Sequence, residues 1–126
     1  LFRLSRVFEL NTTDLISLAE ARTAQRNPSA EYVSGDFTFQ RINYGNISAF
    51  RGFAPAGAAV TRPDIHADIY EVCWVFVGHL LIQLPKERHE LKAGDSLQFD
   101  GALDHTYEAL ADSDFLILHL KKGKRF

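Results

Sequence analysis

Ile69-Tyr70-Glu71-Val72-Cys73-Trp74-Val75-Phe76-Val77-Gly78 is rich in β-branched and aromatic residues and closes on a glycine, the composition of a buried strand running into a tight turn. Side chains alternate along a strand, so Ile69, Glu71, Cys73, Val75 and Val77 share one face. Glu71 is then a carboxylate among apolar neighbours, and a buried carboxylate needs a cation, hydrogen-bond donors or a raised pKa. His66 lies shortly before it, and His105 opens a later strand, Thr106-Tyr107-Glu108-Ala109-Leu110. Two histidines and a carboxylate form the ligand set of a facial divalent-metal site. Tyr70, Trp74 and Phe76 take the opposite face, which a barrel interior does not need, and such a patch marks an interface. A homodimer is the default arrangement.

Outward from this strand the chain alternates strands and turns. Phe37, Phe39 and Arg41 alternate with Thr38, Gln40 and Ile42, the pattern of a half-buried strand. Tyr44-Gly45-Asn46 turns it, Ile47 to Phe53 returns, and Pro55-Ala56-Gly57 turns again. His79 to Leu84 completes a hairpin across Gly78, Pro85-Lys86-Glu87-Arg88 reads as a charged loop, and Gly94 leads into Leu97 to Phe99. Phe115 to Leu120 is nearly continuous in apolar residues and belongs to the core. Many short strands with closely spaced turn signals predict a mainly β sandwich or barrel.

The spacing resembles the cupin family. Its first motif ends in His-x-His, three or four residues, Glu, six residues, Gly; here four residues separate His66 from Glu71 and six separate Glu71 from Gly78. The second motif is represented by Gly94 and His105 at the family spacing, with Asp100, Ala102 and Ala109 in place of its Pro, Gly and Asn. Asp64 stands where the first histidine would be. The resemblance implies a double-stranded β-helix, the cupin jelly-roll barrel. It also implies a divalent metal (Zn, Fe, Mn or Ni) held by His66, Glu71 and His105, with Asp64 as the fourth ligand, an oxygen donor. Tyr107 shares the face of His105 and is expected to line the pocket. Arg51 is expected, if inward, to bind an anionic ligand, and Arg41 has the same option.

Residues 1 to 22 differ in character. Leu1, Leu4, Val7 and Phe8, then Leu15, Leu18 and Ala19, follow helical spacing around Asn11-Thr12-Thr13-Asp14, which supplies a helix end and an N-cap. The run Leu1 to Leu15 resembles the closing helices of Cro/repressor-type (XRE family) helix-turn-helix domains. Asn27-Pro28-Ser29 breaks the helical pattern. The expected organisation is a helical hairpin over 1–27, the remnant of a helix-turn-helix domain with its linker, and a cupin barrel over 28–126.

The 126 residues suffice for one core. A net charge of −2 gives no general attraction to nucleic acid, and no apolar run of membrane-spanning length occurs. A single cysteine, Cys73, excludes an internal disulfide and fits a cytoplasmic setting. The chain lacks methionine throughout, and it is expected to be part of a longer protein. Together these features predict the effector-sensing domain of a DNA-binding transcriptional regulator. It would take a small molecule in the barrel, with or without a divalent metal, and reach DNA through an upstream domain absent from this chain. The alternative is a stand-alone metal-dependent cupin enzyme, an isomerase or an oxygenase. His79 and His89 are expected at the surface, and His119 in the core with a hydrogen-bond partner.

Overall fold

A computed structural model describes residues 24–60 and 67–123. The hairpin expected over the first 22 residues, with Asp64 and His66, lies outside the described residues. The strands are β1 Ala30–Ser34, β2 Phe37–Asn43, β3 Ile47–Ala54, β4 Ala59–Val60, β5 Ile69–Val77, β6 His79–Leu84, β7 Glu87–Lys92, β8 Ser96–Asp100, β9 Thr106–Ala109 and β10 Ser113–Lys121. They form two antiparallel sheets, one ordered β1-β2-β3-β10-β5-β8 and the other β4-β9-β6-β7.

Alternation along β5 decides which residues enter the core. Ile69, Glu71, Cys73 and Val75 are buried between the sheets, whereas Tyr70, Trp74 and Phe76 are exposed on the outer face. Val77 departs from the expected pattern and is exposed. The pairing of β10 with β5 shifts between Asp114 and Phe115, and such an irregularity re-aims the side chains beyond it. Phe37, Phe115, Leu80, Ile82, Val75 and Cys73 are the largest fully buried side chains, drawn from both sheets. Phe115 meets Phe37 and Phe39 edge-on, with ring centroids 5.9 Å and 6.1 Å apart.

Three segments differ from the sequence reading. The hairpin expected across Gly78 does not form, because β5 and β6 pair with strands of different sheets and Gly78 is the crossing between them. Ala30–Ser34 forms an edge strand paired with β2, although almost all of it is exposed and it lacks the alternation that marks a half-buried strand. The charged segment expected as a loop is shorter, because β7 begins at Glu87 and pairs with β6 through Leu84 and Glu87. Its alternation is hidden by solvent on one side, with Leu91 the buried apolar residue.

Candidate functional site

Glu71 sits at the centre of a row that crosses the larger sheet. Strand pairing places Ser48 beside His119, His119 beside Glu71, and Glu71 beside Phe99. From the smaller sheet, β9 and the turn before it bring Tyr107 and His105 to face Glu71. The three are almost completely shielded, with Glu71 3%, His105 4% and Tyr107 5% exposed. Of the residues singled out by spacing, the fold brings Glu71, His105 and Tyr107 together, while His66 and Asp64 lie outside the described residues.

The hydrogen bonds at the carboxylate are specific. The Tyr107 hydroxyl donates to Glu71 Oε2, and His119 Nε2 lies 3.1 Å from Oε1. His105 Nδ1 lies 2.8 Å from the Leu103 carbonyl oxygen. A carbonyl only accepts, so Nδ1 carries the proton. The other ring nitrogen, Nε2, faces Glu71 Oε1 at 3.7 Å. Burial pushes the Glu71 carboxyl up, but the hydrogen bonds from His119 and Tyr107 and the nearby imidazoles outweigh it and hold it below the usual range. Burial, followed by the Glu71 charge, raises the Tyr107 hydroxyl well above its ordinary value, so it remains a donor. Burial also pushes up the Cys73 thiol, which leaves it a core residue and not a nucleophile.

A cavity of about 250 Å³ opens above this floor. Tyr32, Phe37, Phe39 and Phe50 wall one side, and Arg41 lies at its edge. The His119 ring packs on Phe50 at 4.8 Å. Arg51, expected among the ligand-binding residues, is excluded. It alternates with the buried Gly52 and Ala54, lies on the outer face, and pairs with Asp114 at 2.8 Å. Arg41 shares the parity of Phe37 and Phe39 and takes the cavity-side position instead. His119 was expected to be a core residue with a partner. It has that partner in Glu71 and also lines the cavity, a role that depends on the β5–β10 register. His79 pairs with Glu90 and His89 with Glu87, each at 2.9 Å, away from the cavity.

Tyr107→Phe is expected to cost about 1–3 kcal/mol, because it leaves a buried carboxylate oxygen without its donor. The folded-state pKa of Glu71 is depressed, so its stabilising contribution is full above the ordinary glutamate value. It is lost as pH falls below roughly 4. The variant should lose part of this acid-side dependence. Urea titrations between pH 3 and 7 measure both effects, and superimposable curves for the two proteins would contradict the assignment.

No protein-family model matches the chain, and no curated protein matches it in sequence. Solved structures do match. The chain is similar to KdgF from Halomonas sp., at 19% identity over 77% of this chain and 90% of that one, with a TM-score of 0.63. It is similar to an RmlC-like cupin from Shewanella frigidimarina, at 16% identity over 80% and 91% of the two chains, with a TM-score of 0.61. It also resembles oxalate decarboxylase from Bacillus subtilis, at 14% identity, with a TM-score of 0.65, over 82% of this chain but 32% of that one. These likenesses establish the cupin fold.

The oxalate decarboxylase carries Mn(II) centres, so the donor set here bears testing against a divalent ion. Glu71 Oε1 and His105 Nε2 face each other at 3.7 Å, a placement that suits a shared cation. Yet among the described residues no group of three or more His, Cys, Asp or Glu side chains is arranged to hold a metal. Glu71 and His105 alone do not make a metal centre. No helix among the described residues is long and apolar enough to cross a membrane.

Proposed function

We propose that this chain is the effector-sensing barrel of a DNA-binding regulator, with a small molecule held above Glu71. The observation that carries the reading is the engagement of both Glu71 oxygens, one by Tyr107 and one by His119, beneath an aromatic-walled cavity. A carboxylate held by two donors is a fixed recognition group, not a base ready to take a proton from a substrate. The regulator context rests on the resemblance of Leu1 to Leu15 to the closing helices of a helix-turn-helix domain. The base-reading helix of such a domain lies upstream of those residues.

The exposed Tyr70, Trp74 and Phe76 on the outer face of β5 supply the homodimer surface that would set the spacing of two upstream recognition helices. Footprinting tests the proposal. The full-length parent should protect a two-fold symmetric site, and this chain alone should protect none. Sequence-specific protection by this chain, or none by the parent, refutes it. Light scattering should report a dimer at tens of micromolar, and monomer alone at that concentration contradicts the dimer surface.

A second reading, a metal-dependent cupin enzyme, is favoured by the His105 tautomer, which turns Nε2 toward Glu71. In that reading His66 completes the set with Glu71 and His105, and the ion would act as a Lewis acid at open coordination positions. Elemental analysis after loading with manganese, iron, zinc or nickel tests this second reading. It requires stoichiometric metal that is lost on His105→Ala, and protein that takes up no metal refutes it.

A further inference from the structure

Resting on the reading of the cavity as a small-molecule site, we propose that its ligand class is an aromatic monocarboxylic acid, with the carboxylate at Arg41 and an uncharged hydrogen-bond donor at Glu71. The guanidinium carbon of Arg41 lies 5.6 Å from the centroid of the Phe50 ring, at the edge of the cavity. Among the described residues no carboxylate pairs with it, whereas Arg51 has Asp114 and Lys122 has Asp100. Arg41 therefore offers a planar fork of donors beside an aromatic face, the geometry that receives a carboxylate.

At the opposite end Glu71 is the one carboxylate among the described lining residues, beside His105, Tyr107 and His119. Glu71 repels a second carboxylate and accepts from a neutral hydroxyl. Between the two ends, Arg41 pairs with Phe50, Phe50 with Ile117, and Ile117 with Cys73. Glu71 lies two residues along β5 from Cys73, so three strand spacings and two residues of rise, about 16 Å of sheet, separate the backbones of Arg41 and Glu71. The two side chains and one ring span that distance, and Phe39 and Phe50 supply the faces against which a flat body packs. A ligand oriented this way places opposite chemistry at its two ends, so dianions of the same length are rejected.

Three ring compounds of similar length test the proposal by calorimetry and by ring resonances of Tyr107 and Phe50 in the full chain. They are 4-hydroxybenzoate, the neutral 4-hydroxybenzyl alcohol, and the dianion terephthalate. 4-Hydroxybenzoate should bind at least tenfold more tightly than either of the others. Arg41→Gln, a substitution at an exposed position, should weaken 4-hydroxybenzoate about ten- to hundred-fold and leave the alcohol unchanged. Equal binding of acid and alcohol, or unaltered acid binding by Arg41→Gln, overturns the ligand class while the cavity reading stands. Failure of all three probes to perturb Tyr107 and Phe50 overturns both.

Discussion

A Gly78→Ala protein is expected to lose about 4 kcal/mol of stability, combining a disfavoured backbone conformation with overpacking. Gly78 has φ +98°, a region that side-chain-bearing residues rarely enter. A Cβ there would lie 2.7 Å from Ser113 Cα and closer still to the Asp112 carbonyl oxygen. Both obstacles are backbone atoms, so no side-chain rotation relieves the clash. The position matters because Gly78 carries the chain from β5 in one sheet to β6 in the other. β5 presents Glu71, and β6 pairs with β9 so that Ile82 stands beside Tyr107. Displacing this crossing separates the carboxylate from its donor as well as weakening the fold. Thermal denaturation should show a fall of roughly 15 °C. A melting temperature within a few degrees of the parent protein would contradict the close approach at Gly78.

Phe115→Ala is expected to cost about 3–5 kcal/mol through lost burial and the cavity left behind. Phe115 is fully buried and packs against Phe37 and Phe39, two of the rings that wall the cavity. Its partner across β3 is Gly52, where an added Cβ would meet the Phe115 ring at 2.5 Å and the Phe39 ring at 2.9 Å. Gly52→Ala alone should therefore cost about 1–3 kcal/mol by overpacking. In the double variant the methyl enters space vacated by the ring, so the summed cost should fall short of additivity by about 1–2 kcal/mol. Urea denaturation of the four proteins gives this coupling directly. Strict additivity would mean that the ring and the glycine do not share the contact.

The strand over Ile69–Val77, the inward parity of Glu71, and the facing of His105 and Tyr107 were determined by the sequence alone. Period-two alternation and the Gly78 turn are local properties of the chain, and the cupin spacing joins them into one site. The outward placement of Tyr70 and Trp74 followed from the same alternation. Other features depended on which strands lie side by side. His119 joins Glu71 because β10 runs antiparallel beside β5 in a particular register, and that register arises from packing between residues distant in sequence. Arg41 and Arg51 both sit on strands among aromatics, but β3 turns Arg51 toward Asp114 and solvent while β2 turns Arg41 toward the cavity. The exposed β1 carries too little hydrophobic contrast to be legible before its pairing with β2 is known. Local pattern decided which face each residue would choose within its strand, and tertiary pairing decided what that face would meet.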